Sequence, residues 1–432
     1  MAYNIIVGRD EKDLEKFGDK GLVLLGKQYV KMGEFTSLSN NIYLDVARAH
    51  VILVSGKRGS GKSYTLGSIA ENMVNLPEEV SNNIAVLIFD TMGIFWSMKY
   101  PNVKEEQTLK EWNLKPQGLN VKVYVPKGYF EDFRSKKIPV DYSFAIKPCE
   151  LNALDWCSVF NISNLEPIGI LISRIIDNLK GNYDLDDIIK ALQDDKKSEQ
   201  LVKEAAENLF KIANSWGLFD KQGTLIKDII KGKQVSILDL SVYKDWNIKC
   251  LVTSLISKKL LQERILVRKQ EEIENIHNEG HYTDIENVRE EMPLVWLMID
   301  EAHEFLPKEG KSVATDSLIS LLREGRQPGI SLILATQQPG EIHNDVITQS
   351  DIILSLRVTA RRDIEALNNI MQTYLITDIL GYLNNLPKIK GSAIVLDDNS
   401  ERIYSIKIKP KMSWHGGETP SAVKIKKSLL EI

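Results

Sequence analysis

The chain contains 432 residues, of which 43% are hydrophobic and 26% are charged. This composition is close to the globular average and excludes collagen-like, disulfide-scaffold and wholly disordered proteins, while the length predicts two or three domains. The 55 Lys and Arg residues against 59 Asp and Glu give a net charge of −4, so nucleic-acid binding would require a local cationic patch.

Cysteine usage and the lack of a long apolar stretch indicate where the protein resides. Cys149, Cys157 and Cys250 show no C-x-x-C spacing, which favours reduced thiols over a disulfide or a zinc site. The N-terminus becomes charged early, and no stretch approaches the ~18 apolar residues of a membrane span. We therefore expect a cytoplasmic protein with no membrane association.

The first half of the chain predicts a small β element followed by an α/β core. Residues 1–45 contain two short strand patterns, GLVLLGKQYV and NNIYLDV, which we interpret as a short N-terminal β element, a truncated, barrel-like cap. Residues 46–150 open with the apolar strand VILVS, a glycine-rich turn and a helical pattern, and continue with the buried strands IAVLIFD and VKVYVP. This order predicts the first part of a core with a mostly parallel sheet.

The second half predicts a helical insertion and the rest of the core. Residues 151–233 carry two amphipathic helical patterns and no convincing strand. Residues 234–400 resume with VSILDLS, a long helix, the strands LVWLMID, ISLILAT and DIILSLRV, and a helix near 361–380. Residues 401–432 follow a predicted β-hairpin turn and form a C-terminal strand and tail.

An acidic segment follows the long helix, which we expect to run from about 248 to 269. Residues 271–291 hold eight acids against one arginine. This pattern favours a solvated helix end and loop, with a regulatory tail as the alternative.

The strongest functional motif is GKRGSGKS at 56–63, which matches G-x-x-x-x-G-K-[ST] between a buried strand and a helix. In this pattern backbone N–H groups surround a phosphate, Lys62 reaches the β and γ oxygens, and Ser63 offers a hydroxyl to Mg²⁺. The motif therefore predicts binding of a nucleoside triphosphate with Mg²⁺. The residues that we assign to nucleotide binding are Gly56, Arg58, Gly59, Ser60, Gly61, Lys62, Ser63 and Tyr64.

Two later strands end in polar residues that suit hydrolysis. Asp300 closes LVWLMID and can hold Mg²⁺, while the adjacent Glu301 can polarise the attacking water as a general base. Solubilising acids are the alternative, but the pair favours ATP hydrolysis over a slow GTPase switch. In ISLILATQQP, Gln337 is the expected γ-phosphate sensor, and a strand-end turn before Pro339 is the alternative.

Two pairs of basic residues each have two possible roles. Arg323 and Arg326 in LLREGRQPG either complement a helix dipole or act as an arginine finger on a neighbouring subunit. Lys308 and Lys311, in the loop after the acidic pair, are candidate DNA-binding residues, and ordinary solvated lysines are the alternative.

Together, GKRGSGKSYTLG, LIFDTMG, LMIDEAHEF, LLREGRQPGISLILATQQP and SWHGGETPSA resemble the HerA branch of the HerA/FtsK superfamily of hexameric, DNA-translocating ATPases. The resemblance covers about residues 40–422 apart from the helical insertion. It implies a RecA/FtsK-like P-loop NTPase fold, a homo-hexamer around DNA, double-stranded DNA being favoured, and Arg323 or Arg326 acting in trans. It also gives Asp90 a role in orienting nucleotide or water, with a strand-end turn as the equal alternative.

The expected function is therefore an ATP-dependent DNA translocase or helicase-type motor in DNA end processing or repair. One alternative is a viral or mobile-element pump for DNA packaging or conjugation, and another is an NTP-dependent switch or scaffold that acts through protein partners. Family members that recruit the nuclease NurA usually carry a complete β-barrel before the phosphate loop, whereas about 50 residues precede it here. A NurA-type partner is therefore an open expectation.

Overall fold

The computed structural model describes residues 4–32, 35–280, 292–357, 364–367 and 379–418. The strands, in chain order, are β1 Ile5–Val7, β2 Leu22–Met32, β3 Phe35–Asp45, β4 Val51–Ser55, β5 Ile84–Asp90, β6 Lys122–Pro126, β7 Tyr142–Phe144, β8 Gln234–Asp239, β9 Leu294–Ile299, β10 Ile330–Thr336, β11 Ile352–Leu356, β12 Ser392–Asp397 and β13 Arg402–Ile408.

The strands form one sheet of 13 strands in the order β1-β3-β2-β13-β12-β11-β4-β10-β9-β5-β8-β6-β7. From β11 to β7, every neighbouring pair is parallel. All residues of β4, β5, β10 and β11 are buried. Such continuous burial is typical of parallel strands that are covered on both faces of a sheet.

Residues 364–367 are helical, and fifteen further α-helices surround the sheet in the described part of the chain. They are α1 Glu11–Phe17, α2 Lys62–Val74, α3 Glu78–Ser81, α4 Glu106–Glu111, α5 Phe130–Ser135, α6 Ala153–Val159, α7 Pro167–Asn178, α8 Leu185–Asp194, α9 Gln200–Ser215, α10 Ile226–Ile229, α11 Trp246–Gly280, α12 Ala302–Phe305, α13 Thr315–Glu324, α14 Asn344–Gln349 and α15 Ile379–Asn385. In the described residues, no helix combines the length and the apolarity needed to cross a bilayer.

The predicted fold class, α/β with a mostly parallel central sheet, is confirmed. The C-terminal hairpin β12–β13 is antiparallel and joins the sheet to β2, so that residues from both ends of the chain extend the same sheet edge. The N-terminal hairpin β2–β3 continues that edge, and β1 pairs in parallel with β3.

Several short elements were not predicted, among them helices α6 and α8 and strand β7. Helices α6 and α8 begin with capping boxes formed by Asn152 with Asp155 and by Asp184 with Asp187, which satisfy first-turn N–H groups. Strand β7 has only three residues, two of them exposed, and depends on pairing with β6. The strand is therefore too short to show an alternating pattern of apolar and polar residues in the sequence.

Helix α11 is longer than predicted and reaches Gly280 within the acidic segment. Arg268 forms ion pairs with Glu271 and Glu272, one helical turn further on. Such pairs support the end of the helix, where residues 268–276 are not buried. Residues 281–291 of the acidic segment, most of the helix predicted near 361–380, and the tail from 419 lie outside the described residues.

A buried ionic network fastens the N-terminal edge to the start of β4. His50 Nδ1 lies 2.7 Å from Asp351 Oδ2, and its Nε2 lies 3.6 Å from Asp45 Oδ2. Asp45 in turn pairs with Arg9 at 2.5 Å. Burial opposes the charged imidazole, but the Asp351 and Asp45 carboxylates raise the pKa of His50 to about 9. The network therefore carries a charged histidine at neutral pH and ties three segments together.

Candidate nucleotide-binding and hydrolysis site

The site lies at the carboxyl edge of the parallel strands. β4 pairs with β10 and β11, and β10 pairs with β9. Because parallel strands share one carboxyl edge, the segments that follow β4, β9 and β10 meet there, which is where ligands bind in open α/β sheets.

The loop after β4 curls into the start of α2. Gly59 and Gly61 have φ of +75° and +109°, in the left-handed region that favours glycine. A Cβ on Gly56 would approach Ser60 Oγ to 2.5 Å, and the Gly56 N–H donates to the Thr336 carbonyl at 3.2 Å. The loop thus presents the N–H groups and the positive end of α2 to an anion.

Lys62 is the buried cation of this loop. Its side chain is 6% exposed, and Nζ donates to the Gly56 carbonyl at 3.0 Å. Burial lowers the pKa of Lys62, an effect that the nearby Asp300 and Glu301 carboxylates oppose. The ammonium is therefore largely shielded from solvent, and a phosphate would be a strong partner for it there.

Ser63 and Asp300 converge on one point. The Ser63 hydroxyl donates to Asp300 Oδ2, and Asp300 is buried at the end of β9. The two oxygens lie close enough to serve one cation, and hard oxygen ligands of this kind are those that Mg²⁺ takes together with phosphate oxygens.

Glu301 adopts a left-handed conformation, with φ of 54° and ψ of 44°. This geometry is costly for a residue with a side chain, by about 1–3 kcal/mol, and occurs mainly at functional sites. The Glu301 N–H donates to Asp300 Oδ1 at 2.9 Å, which stabilises the turn. The turn directs the Glu301 side chain toward the end of β10.

The two carboxylate oxygens of Glu301 have different surroundings. Oε1 accepts a hydrogen bond from Gln337 Nε2, while Oε2 is buried and has no hydrogen-bond partner among the described residues. Burial and the neighbouring Asp300 carboxylate raise the pKa of Glu301, against the Gln337 hydrogen bond and the charge of Lys62. A buried acceptor with raised basicity, lacking a donor, suits a base that receives a proton from water.

Sequence reasoning missed His303, which links the segments after β9 and β10. His303 Nδ1 lies 3.2 Å from Thr336 Oγ1 and 3.8 Å from Glu301 Oε2, and its Nε2 lies 3.3 Å from Gln338 Nε2. The sequence did contain a signal for this residue, namely a histidine two positions after the acidic pair. Its ring lies beside the pair because α12 begins immediately after Glu301.

Asp90 lies opposite Asp239 in the register of β5 and β8. Its carboxylate accepts from the N–H groups of Gly93 at 2.7 Å and Phe95 at 2.8 Å. Burial and Asp239 raise the pKa of Asp90, although these N–H donors oppose the effect. The carboxylate therefore caps the turn after β5, as the strand-end alternative expected.

Arg323 and Arg326 do not reach the phosphate loop of their own chain. Arg323 pairs with Asp345 at 2.7 Å, and Arg326 is exposed in the turn that precedes β10. That turn lies at the amino end of β10, a strand of seven residues, so the strand separates it from the site by roughly 20 Å.

Lys308 and Lys311 are exposed in the loop after α12, on the same edge as the phosphate loop. Lys311 pairs with Asp316 at 2.9 Å. In the part of the chain that the structure describes, no carboxylate pairs with Lys308, whose backbone N–H donates to the Glu341 carbonyl.

The residues present fit a triphosphate with Mg²⁺. Ser63 and Asp300 already contact each other where the cation would sit, and no described residue donates to the nearby Glu301 Oε2. When bound, Mg²⁺ would neutralise phosphate charge. Lys62 would bind the terminal phosphates, and Gln337 would orient the Glu301 carboxylate.

The fold and this edge of the sheet place the chain among the P-loop ATPases. Residues 30–260, more than half of the 432-residue chain, match the family described as the central domain of the helicase HerA. The chain belongs to that family, and the resemblance drawn from its motifs is confirmed.

The chain is also similar to individual proteins. The DNA double-strand break repair helicase HerA of Pyrococcus furiosus is 26% identical over 208 residues, 44% of this chain and 37% of that protein. The probable DNA double-strand break repair helicase HerA of Methanocaldococcus jannaschii is 28% identical over 153 residues, 32% of this chain and 29% of that protein. The matches thus span about a third of these relatives' lengths.

A solved structure shares the fold. VirB4 of Thermoanaerobacter pseudethanolicus aligns with a TM-score of 0.52 at 13% identity, covering 90% of this chain and 96% of that one.

The position of Glu301 predicts the effect of removing its negative charge. The variant Glu301→Gln should still bind ATP, because Lys62 and the loop are unchanged, but it should hydrolyse ATP at least about a hundredfold more slowly. Phosphate release under saturating ATP measures the rate, and a binding titration measures the affinity.

Glu304→Gln is the matched control, since Glu304 lies in α12, three residues after Glu301, and its side chain is 43% exposed. It should retain the wild-type rate. Wild-type turnover in Glu301→Gln would remove Glu301 as the base.

Proposed function

We propose that this protein is an ATP-dependent DNA translocase or helicase-type motor that works as a ring-shaped homo-hexamer in DNA end processing or repair. The observation that carries the ATPase part is the buried Oε2 of Glu301, which has no donor among the described residues and lies beside the Ser63–Asp300 pair. Membership in the HerA family supports the DNA-motor part.

In the proposed reaction, ATP binds with its phosphates in the loop at 56–63, where Lys62 and the start of α2 balance their charge. A water beside Glu301 Oε2 gives its proton to that oxygen as it attacks the γ-phosphorus, and the ADP leaving oxygen takes up the charge. Gln337 holds Glu301 through Oε1 and lies where it can respond to loss of the γ-phosphate.

The ring is proposed because neither Arg323 nor Arg326 reaches the phosphate loop of its own chain, so that either arginine could act only on the site of a neighbouring subunit. Arg326 lies beyond the opposite end of β10 and is exposed, whereas the Arg323 guanidinium is engaged by Asp345 on two nitrogens. We therefore assign the trans finger to Arg326, reaching the γ-phosphate bound by the adjacent subunit.

DNA would pass near the loop that carries Lys308 and Lys311. This loop leaves the hydrolysis edge directly after α12, so a movement of Glu301 on phosphate release can displace it. Its anchor to residues 339–342, through the Lys308 N–H and a bridge between Pro307 and Ile342, links it also to the segment after Gln337. A nuclease partner of the NurA type remains part of this proposal.

Mixing two inactive variants tests the ring. Arg326→Ala leaves its own phosphate loop intact, and Lys62→Ala keeps its arginine. Each alone should be at least about a thousandfold slower than wild type. Mixed subunits should regain ATPase activity at interfaces where Lys62→Ala supplies Arg326 to an intact site.

Arg323→Ala is the matched control and should lose less activity, since its side chain is held by Asp345. A mixture that stays inactive while forming hexamers by light scattering would contradict action in trans.

Duplex DNA should stimulate ATP hydrolysis at low salt, and the stimulation should fall steeply as salt rises, because phosphate contacts release counterions. The double variant Lys308→Ala/Lys311→Ala should keep the basal rate and lose most of the stimulation. The rate is measured with and without duplex DNA over a salt series.

Absence of stimulation in the wild-type protein at low salt would favour a switch that acts through protein partners. Stimulation that is unchanged in the double variant would place the DNA-binding cations elsewhere.

A further inference from the structure

The cleft at the hydrolysis site is larger than a triphosphate requires. It has a volume of about 1190 Å³ and continues past the phosphate loop to residues of two other segments. Its hydrolytic end holds Glu301 and Gln337, while its other end holds Tyr64, Glu105 and His415. Because Lys62 and Ser63 lie between these ends, a nucleotide whose γ-phosphate faces Glu301 must direct its nucleoside toward Tyr64.

Glu105 is fixed at this second end with one oxygen engaged. Its Oε2 accepts from the Tyr64 hydroxyl and from Asn102 Nδ2, both at 2.7 Å. The Tyr64 oxygen also accepts from the Lys411 N–H at 2.6 Å. Among the described residues, none donates a hydrogen bond to Oε1 of Glu105. The carboxylate therefore has a set orientation and an acceptor to spare.

Tyr64 and His415 provide an aromatic surface beside this carboxylate. Their ring centroids are 5.4 Å apart at an interplanar angle of 73°. Burial and the charge of Lys411 lower the pKa of His415 to about 4, so the imidazole is neutral at physiological pH. Two uncharged rings in a partly buried cleft suit contact with a flat heterocycle.

The segment that carries His415 is firmly attached to the phosphate-loop helix. Glu71 of α2 is fully buried and accepts from Lys409 Nζ at 3.0 Å, from the Met412 N–H at 2.8 Å, and from both the N–H and the hydroxyl of Ser413 at 3.0 and 2.9 Å. This carboxylate holds residues 409–413 against α2, and His415 follows directly. The aromatic surface and the phosphate loop are thus parts of one rigid unit.

We propose that this end of the cleft is a nucleoside subsite, in which the base packs against Tyr64 and His415 and a ribose hydroxyl donates a hydrogen bond to Oε1 of Glu105. The ligand class is a ribonucleoside phosphate, distinguished from a deoxyribonucleoside phosphate by Glu105. The inference rests on the proposed function, since the phosphates must occupy the loop at 56–63.

Calorimetric titration of the full chain with Mg²⁺ and four ligands tests the sugar contact: ADP, 2′-deoxy-ADP, 3′-deoxy-ADP and pyrophosphate. The wild-type protein should bind ADP about tenfold more tightly than at least one of the deoxy forms, the effect expected of a hydrogen bond to a charged acceptor. Glu105→Gln should reduce this preference severalfold, because its amide oxygen can still accept from Tyr64 and Asn102 while its NH₂ group offers the ribose hydroxyl an uncharged partner in place of a carboxylate oxygen.

Pyrophosphate, which has no sugar, distinguishes binding by the phosphate loop from the sugar contact at Glu105. It should bind equally to wild type and to Glu105→Gln, which also shows that the variant is folded. If the wild type binds pyrophosphate but does not distinguish ADP from either deoxy form, or if Glu105→Gln keeps the preference, the sugar contact is overturned and the phosphate loop stands. If the wild type binds none of the ligands, the proposed function fails and the subsite fails with it.

A second pair of variants tests the base contact. His415→Ala should weaken ADP about fivefold or more while leaving pyrophosphate unchanged, and His415→Phe, which retains an aromatic ring, should restore most of the affinity for ADP. Equal affinity for ADP in wild type and His415→Ala would overturn the role of His415. An equal loss of ADP and pyrophosphate would also overturn it, since the residue would then only support the loop.

Discussion

The site depends on a constraint of parallel sheets, namely that neighbouring strands deliver their following loops to the same edge. β4, β10 and β9 are adjacent and in register, so the phosphate loop, Gln337 and the acidic pair meet although they are far apart in sequence. The direct result is the contact between Ser63 and Asp300, which lie 237 positions apart. Every chemical role assigned to the site assumes that this contact marks the place of one metal ion.

The same edge concentrates groups that would be unfavourable elsewhere. Lys62 is buried near two carboxylates, Glu301 has a left-handed backbone, and one oxygen of Glu301 finds no donor in the described part of the chain. Each of these features costs stability, and the surrounding sheet of continuous apolar strands offsets that cost. A bound phosphate would interact favourably with Lys62, and a water would satisfy Glu301, so ligand binding is coupled to relief of these costs.

Local patterns were readable from the sequence and distant contacts were not. The loop at 56–63 and the acidic pair are short motifs whose geometry follows from consecutive residues and a flanking strand. The hairpin β12–β13 was predicted from its turn, but its pairing with β2 depends on chain ends that no local pattern connects. Likewise, Tyr64 was assigned to nucleotide binding, whereas its contact with the N–H of Lys411, 347 positions away, requires the folded C-terminal segment.

The ion pairing of arginines and lysines was equally hard to predict from the sequence. A net charge of −4 gives no indication that Arg323 and Lys311 form ion pairs whereas Arg326 and Lys308 have none among the residues that the structure describes. These differences arise from Asp345 and Asp316, whose positions are set by packing of α13 and α14. These two carboxylates therefore distinguish Arg323 from Arg326 and Lys311 from Lys308, which the sequence alone does not.

Binding of ATP in the presence and absence of Mg²⁺, to the wild type, Lys62→Ala and Asp300→Asn, tests most directly that the loop and the acidic pair form one pocket. Lys62→Ala should bind at least about tenfold more weakly with or without the metal. Asp300→Asn should retain metal-free binding and lose the increase that Mg²⁺ gives the wild type. Unaltered affinity in Lys62→Ala, or a full Mg²⁺ effect in Asp300→Asn, would contradict the account.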